Sequence, residues 1–417
     1  MGLREFLDWL RKEGGLQEIN RPVSPMFEAP RCAYQDRRPV LFNDCNGMRA
    51  AMNVLNSRET LAKALGVTPD NIINKLTGAH FDGKVKHVDK SPMFEVKSNP
   101  CLSKLPVMKH FKKDGGAYIT AGIVVSKYKD MYNASIHRLM VVNDSTLAAR
   151  LVPPRHTYVM QKEAASKNEP LQVGIVIGVD PVTVFAASTR VPQGKEWEYA
   201  AALKGEPVEL VRLDNGVEVP HGEIVLEGYI DPSEKIKEGP FVDITGSYDH
   251  IRPEPIIKLK SMMMRKNPIY HGILPGGNEH KLLMGVPYEP LIYNAVANVT
   301  KVKNVMLTEG GCCYLHAIVQ IEKQTEGDGM NAIMAAFAAH TSLKHVVVVD
   351  TDINIFDPMD VEYAIATRVK ADRDVMIVSN VRGSSLDPVS EDNITSKMGV
   401  DATKPLKASE KYERARI

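Results

Sequence analysis

The runs ITAGIVVSKY at 119–128, ASIHRLMVV at 134–142, LQVGIVIGV at 171–179, EIVLEGYI at 223–230 and PIIKLKSMMM at 255–264 decide the fold class. Each is short and rich in β-branched and aliphatic residues, and turn residues such as Asp214-Asn215-Gly216 separate them. Helical patterns interrupt only near 157–167 and 197–204. From Tyr118 to roughly 270 this is the rhythm of a mostly antiparallel barrel.

The flanks read differently. Residues 3–12 place Leu3, Phe6, Leu7 and Leu10 against charged neighbours at helical spacing, and Gly14-Gly15 ends the helix. A strand at Leu16–Ile19 and helices at 59–66 and 69–77 make the first hundred residues a small α/β unit, followed by a proline-marked connection at about 90–115. After about 290 helices alternate with strands: PLIYNAVANVT, LHAIVQI, GMNAIMAAFAAHT, HVVVVD, DVEYAIATRVK and DVMIVS. That alternation predicts a parallel sheet flanked by helices. The charged tail from Lys404 to Ile417 reads as a peripheral helix or arm.

At ~150 residues per domain, a chain of 417 residues holds two or three domains. Fifty-two basic against 51 acidic residues leave a net charge of +1, and the hydrophobic fraction of 44% is that of a globular protein. Disorder is excluded, and no global charge draws the chain to nucleic acid or to an anionic membrane. Any bound anion must be held by local charge. Five scattered cysteines, Cys32, Cys45, Cys101, Cys312 and Cys313, make no disulfide framework and suit a reducing compartment. Adjacent Cys312 and Cys313 read as small buried residues on opposite faces of a strand rather than a redox pair. Charges stand where a signal peptide needs apolar residues, and Phe6 stands where myristoylation needs Ser or Thr, so the expected location is the cytoplasm with no membrane span.

One motif is a decoy. GDGMNA at 327–332 fits a dinucleotide fingerprint, and Asp350 ends a strand 21 residues beyond Gly329. Glu322–Glu326, however, separate the apolar strand from the first glycine, whereas a pyrophosphate-binding turn comes straight off its strand. Asp350, Asp352, Asp357 and Asp360 suggest either a magnesium site or a capped helix start.

The polar residues that a plain barrel does not need lie in three segments. In Asn133-Ala-Ser-Ile-His-Arg138, strand geometry puts Asn133, Ser135 and His137 on one face and Arg138 on the other. In Pro153-Pro154-Arg155-His156 the prolines stiffen the backbone that presents Arg155 and His156, and Arg150 adds positive charge suited to phosphate or carboxylate. Glu196 follows the VPQGK turn. Asn, His and Glu together suit a hard or borderline divalent ion. In EGPFVD at 238–243, Gly239-Pro240 breaks regular strand geometry, so Glu238 and Asp243 can converge; the alternative is a solvated acidic turn. Two close carboxylates beside an arginine allow one to stay ionised and the other to hold a proton.

Taken together these segments resemble the UbiD family of prenylated-flavin-dependent decarboxylases. The likeness is carried by the N-terminal Leu-Arg-x-Phe-Leu helix, the Asn-x-Ser-Ile-x-Arg strand, the Pro-Pro-x-His turn, EIVLEG at 223–228, EGPFxD at 238–243 and VDTDINIFDPMDVEYAIATR at 349–368. The resemblance implies an α/β (α+β) chain in three parts: an N-terminal α/β domain (1–110), a split β-barrel of the flavin-reductase kind that binds prenylated FMN (111–290), and a C-terminal α/β domain (291–417). It implies a divalent ion, usually manganese (or magnesium), on Asn133, His156 and Glu196, and a potassium ion held by backbone carbonyls around Ala187, Ser188 and Arg190. Ser135, Ile136, Arg138, Arg155, His156, Ala187, Ser188 and Lys397 would line the cofactor, and Arg138, Glu238 and Asp243 would form the catalytic set. Asp at 243 in place of Glu leaves the proton donor open.

The implied reaction is non-oxidative decarboxylation of an unsaturated or aromatic acid, with Arg138 on the carboxylate and the Glu238/Asp243 pair protonating the carbon. Archaeal members similar in length and motif style point to trans-anhydromevalonate 5-phosphate, converted to isopentenyl phosphate, with Arg150, Arg155 and Lys281 as candidate phosphate cations; a polyprenyl-hydroxybenzoate-type acid is the alternative. A UbiX-type flavin prenyltransferase would supply the cofactor, and a homo-oligomer, dimer or hexamer, is expected although the C-terminal extension is short. An NAD-dependent oxidoreductase, an ordinary FMN reductase and a non-catalytic flavin-binding or assembly protein are the competing classes.

Overall fold

The computed structural model describes residues 1–407 and 409–415. The chain divides into two compact units, residues 1–69 with 79–280 and residues 70–78 with 281–417. No described helix is long and apolar enough to cross a membrane.

The first unit is built on the β-rich runs. They form one sheet in the order Tyr118–Ile119, Leu139–Asn143, Thr146–Ala149, Arg252–Met264, Ile224–Glu238, Leu171–Ile177, Ile123–Tyr128 and Met131–Ile136, with Val96–Ser98 added beside Arg252–Met264. Every ladder is antiparallel, and none among the described residues joins the two end strands, so the sheet stays split. Alternate residues such as Val124, Val173, Ile175, Leu226 and Ile257 face a common core. Helix His156–Ser166 packs on strands Leu171–Ile177 and Ile224–Glu238, and helices Pro181–Ser188 and Glu196–Lys204 pack on each other.

Helix Leu3–Lys12 buries Leu3, Phe6, Leu7 and Leu10 as its spacing predicts. The sheet that follows, Gln17–Ile19, Val40–Cys45 and Met48–Met52, is completed by Ile269–Gly272 from beyond the large sheet. Two buried carboxylates tie these distant segments. Glu223 accepts from Arg4 (2.7 and 2.8 Å) and from the Ile269 N–H (3.0 Å), and Glu279 accepts from the Val54 and Leu55 N–H groups at 3.1 and 3.0 Å.

The second unit holds a sheet in the order Val302–Leu307, His316–Ile321, His345–Asp350, Ile394–Asp401 and Val375–Arg382. Its three central strands are parallel and both edges antiparallel, so the all-parallel expectation holds only at the centre. The reason is connection length. Helix Asp328–Ala339 carries the chain back between parallel neighbours, whereas short loops join each edge strand to its partner and permit only reversal. Along His345–Asp350 the valines alternate: Val346 and Val348 face one core with helices Glu289–Ala297 and Asp328–Ala339, and Val347 and Val349 face another with helix Pro358–Arg368. Of the tail, the tight turn Ser409–Tyr412 is seen; residues 408, 416 and 417 lie outside the described residues.

The dinucleotide motif is structural. Asp328 turns its carboxylate onto the Gln324 and Thr325 N–H groups (2.7 and 3.1 Å), so an acid occupies the helix start where a phosphate would need donors. Gly329 is required because a Cβ there would stand 2.1 Å from the Asp401 carboxylate. Asp350 and Asp352 hold the buried Arg368 (3.0 and 2.8 Å), Asp357 caps helix Pro358–Arg368 through the Met359 N–H, and Asp360 accepts from the Asn354 N–H (2.6 Å). Cys312 and Cys313 are not on a strand, as read from the sequence: both lie in the reversal between Val302–Leu307 and His316–Ile321, half-buried, with positive φ of 59° and 50°. The turn that reverses the chain there imposes a left-handed backbone, and sequence pattern does not reveal it.

Arg368 is the fixed point of the second unit. Arg368→Ala takes the cation from Asp350 and leaves Asp352 with Lys404 alone, and is expected to destabilise by about 3–5 kcal/mol, read as a lower urea midpoint; an unchanged midpoint would show the buried cation to be dispensable.

Candidate active site

Strand Met131–Ile136 positions the first group. Asn133 donates from Nδ2 to Thr157 Oγ1 (2.9 Å) and Ser135 Oγ (3.1 Å), and Ser135 Oγ lies 2.8 Å from His137 Nε2, so the alternate-face reading holds. Thr157, which sequence reasoning missed, is buried and bridges all three. It follows His156, the first residue of helix His156–Ser166; Glu196 is the first residue of helix Glu196–Lys204. A strand and two helix starts thus bring Asn133, His156 and Glu196 together. Asn133 Oδ1 lies 3.1 Å from His156 Nδ1 and 3.1 Å from Glu196 Oε1.

With His156 Nδ1 unprotonated, three acceptors meet around one point. A half-turn of the amide would let its N–H groups donate to both neighbours; a cation among the three satisfies them without it. Burial pushes the Glu196 carboxyl up to about 7, against the N–H groups of Glu196 and Ala134, as for an acid that lacks its counter-charge. Imidazole nitrogen, amide oxygen and carboxylate form a donor set that a manganese-like ion fits. No group of three His, Cys, Asp or Glu side chains among the described residues could hold a metal, so an ion here depends on the amide.

Positive charge surrounds His156. Burial, then Arg190 and Arg155, push its imidazole down. Arg150 is already engaged: it donates to Glu254 (2.7 Å) and to the Leu151 carbonyl (3.0 Å). Ala187 and Ser188 end helix Pro181–Ser188, and last-turn carbonyls lack intrahelical partners and favour cations. Ile136 ends its strand, half-buried, opposite Ile123. Lys281 and Lys397 belong to the second unit. There Lys397 donates to the Thr341 carbonyl (2.7 Å), and burial pushes its amine down to about 8.

The second group is centred on Arg138. Its Nε and Nη2 donate to the two oxygens of Glu238 (3.0 and 2.8 Å), Glu238 is 0% exposed, and Nη1 lies 3.1 Å from Asp249. The guanidinium covers the Phe241 ring at 5.1 Å, and Tyr118 packs on the same ring at 4.5 Å. Asp243 is not among the partners of Arg138 in the described residues. Its carboxylate accepts from the Ile244 N–H (2.7 Å), and its backbone closes the turn to Gly246 and Ser247. The hairpin Phe241–Val242 with Tyr248–Asp249 explains the exchange, since antiparallel pairing sets Phe241 opposite Asp249. An acidic residue just past the TGS turn at 245–247 was the available signal.

Glycines let this turn form. Gly239 adopts φ +96°, and a Cβ on Gly115 would stand 2.2 Å from the Gly239 carbonyl oxygen. The Gly115 N–H instead donates to the Pro240 carbonyl (2.9 Å).

His110, on the same loop, is buried, and neither ring nitrogen is hydrogen-bonded among the described residues. Burial, then the charge of His280, pushes it down to about 3. Near pH 6.5 and below, the unfolded chain takes up a proton there that the fold refuses. This contribution is complete above pH ~6.5 and is lost at about 1.4 kcal/mol per pH unit as pH falls. His110→Phe should flatten that slope between pH 6.5 and 4.5 in urea unfolding; equal slopes would show that His110 is not the refusing group.

Comparison with known proteins gives the context. Three models describing the 3-octaprenyl-4-hydroxybenzoate carboxy-lyase match in succession: the N-terminal domain at residues 7–79, the Rift-related domain at 85–278 and the C-terminal domain at 281–402. The anhydromevalonate phosphate decarboxylase of Methanosarcina mazei is 61% identical, over 100% of this chain and 99% of its own. That of Archaeoglobus fulgidus is 52% identical, over 88% and 86%. Among solved structures, the UbiD-class enzyme HmfF from Pelotomaculum thermopropionicum in complex with FMN matches with a TM-score of 0.97 at 38% identity, covering 100% of this chain and 97% of that one. The apo 3,4-dihydroxybenzoic acid decarboxylase of Klebsiella pneumoniae matches with a TM-score of 0.94 at 26% identity, covering 100% and 97%. With all three parts matched in order, the chain belongs to the UbiD family.

Proposed function

We propose that this protein decarboxylates trans-anhydromevalonate 5-phosphate to isopentenyl phosphate and carbon dioxide, with prenylated FMN as cofactor. The buried Arg138–Glu238 pair carries the chemistry; the full-length 61% identity to a curated anhydromevalonate phosphate decarboxylase supports the substrate. The metal reading rests on the acceptors of Asn133, His156 and Glu196, which would hold manganese, and the end of helix Pro181–Ser188 would offer the carbonyls of Ala187 and Ser188 to potassium. Ser135, Ile136 and Arg155 are assigned to the cofactor, delivered by a UbiX-type flavin prenyltransferase. When bound, the prenylated flavin supplies the sink for the electron pair of the breaking carbon–carbon bond.

The protein's own steps follow from the Arg138 geometry. The substrate carboxylate takes the guanidinium from Glu238, while Asp249 and the Phe241 ring keep Arg138 oriented. The Glu238/Asp243 carboxyl pair delivers a proton to the carbon that carbon dioxide leaves. Arg138, Glu238 and Asp243 are assigned as the catalytic set, with Asp243 placed on the hairpin turn that follows Glu238. The assembly proposed is a homo-oligomer, dimer or hexamer.

Protein reconstituted with prenylated FMN, manganese and potassium should release carbon dioxide from anhydromevalonate phosphate in preference to a panel of aromatic and acrylic acids. Preference for a hydroxybenzoate would establish the aromatic-acid reading instead. Arg138→Ala and Glu238→Gln should each lower kcat/KM by at least about a hundredfold, and Glu196→Gln should lose manganese by metal analysis. Full activity with bound cofactor in either catalytic variant, or undiminished manganese in the third, refutes the corresponding assignment.

A further inference from the structure

An asparagine amide has two faces of opposite character, and a half-turn exchanges them. In one orientation Asn133 gives its oxygen to the space beside His156 and Glu196; in the other it gives its N–H groups, which satisfy both neighbours without any ion. The groups that decide between the two lie behind the amide. They can be followed from a fixed starting point.

That point is the Arg150 carbonyl, which can only accept. It lies 3.0 Å from His137 Nδ1, so this nitrogen carries the ring proton and donates it. The carbonyl is itself held in place, because the Arg150 N–H donates to the Arg138 carbonyl (3.3 Å) and Glu254 accepts from the Arg150 side chain and the Leu151 N–H (2.7 and 3.2 Å). Burial, aided by the charges of Arg155 and Arg150 and opposed by the Arg150 carbonyl, pushes the His137 imidazole down to about 4. The ring is therefore neutral at neutral pH, and Nε2 keeps its lone pair. Ser135 Oγ lies 2.8 Å from Nε2 and Thr157 Oγ1 lies 3.2 Å from it. A serine hydroxyl has one proton, and here it goes to the ring. Towards Asn133, 3.1 Å away, Ser135 then shows only lone pairs. An amide N–H satisfies them, whereas an amide oxygen would set lone pair against lone pair. Thr157 Oγ1 takes the second N–H at 2.9 Å. The Ala134 N–H, 3.3 Å from the same end of the amide, would favour the turned state, but it is engaged by the Glu196 carboxylate.

We propose that His137, through the Ser135 and Thr157 hydroxyls, sets the orientation of the Asn133 amide and thereby makes its oxygen a ligand for a divalent cation. The assignment rests on the metal reading given above. With the Nε2 acceptor removed, the Ser135 proton is free to swing onto the amide oxygen. The amide then turns, and its N–H groups close on Glu196 and His156 in place of the ion. His137 acts through Ser135 and Thr157 and is a positioning residue. Partners behind the ligands of a metal ion commonly govern its affinity in this way. Arg150, held by Glu254, anchors the carbonyl from which the order of donors and acceptors starts.

The test is a manganese titration of the FMN-loaded protein, with the free ion read by electron paramagnetic resonance. His137→Phe, which keeps a ring but offers no acceptor, should raise the manganese Kd at least about tenfold. His137→Gln, which keeps an acceptor where Nε2 stood, should bind close to wild type. On wild-type protein labelled with 15N-histidine, the His137 signal, identified by its loss in either variant, should carry its proton on Nδ1. Wild-type affinity in His137→Phe, equal losses in both variants, or a proton on Nε2 would each overturn the proposal; the last measurement holds even where a variant fails to fold. Glu196→Gln separates the two readings. Undiminished manganese in that variant removes the metal reading, whereas lost manganese there beside full affinity in His137→Phe removes only the role of His137.

Discussion

The first unit is organised by one buried ion pair, Arg138 with Glu238, whose partners stand 100 residues apart in the chain. Withdrawing both charges from water costs several kcal/mol per ion. Two parallel hydrogen bonds, the third anchor at Asp249 and the Phe241 ring offset that cost. The surrounding architecture serves this contact. Gly239 turns the chain immediately after Glu238, Gly115 admits the neighbouring loop, and the short hairpin returns Asp249 to the guanidinium. Arg150 with Glu254 repeats the pattern nearby, so the neutrality of the whole chain conceals a local alternation of cations and acids.

The second feature is a meeting of acceptors rather than of charges. Asn133, His156 and Glu196 come from a strand and two helix starts, and each sits there for an ordinary structural reason. Only their juxtaposition is unusual, because oxygen and nitrogen lone pairs repel unless a cation or a turned amide lies between them. Thr157 and Ser135 fix the amide from behind, and Arg155 and Arg190 bias the surroundings toward anions. A phosphate-bearing cofactor clamped by a divalent ion is the chemistry that such surroundings favour.

Much of this was legible in the sequence. Helix Leu3–Lys12, the antiparallel rhythm after Tyr118 and the shared face of Asn133, Ser135 and His137 follow from side-chain periodicity, which is a local property. Periodicity failed where the backbone is irregular. Cys312 and Cys313 looked like strand residues but adopt left-handed turns, and the edge strands of the second unit reverse because their connections are short. GDGMNA satisfied a spacing rule while its own aspartate filled the anion position.

The sequence by itself determined which side chains are present and which face of each element they take, because alternation and helical spacing depend only on near neighbours. It therefore supplied the family likeness, the metal-ligand candidates and Arg138 with Glu238. Tertiary structure alone decided that Asp249 rather than Asp243 meets Arg138, that Arg150 is already engaged by Glu254, and that Tyr118 and His110 stand buried against Phe241. Those outcomes depend on pairing register and loop packing between residues far apart in the chain, and no local pattern encodes them.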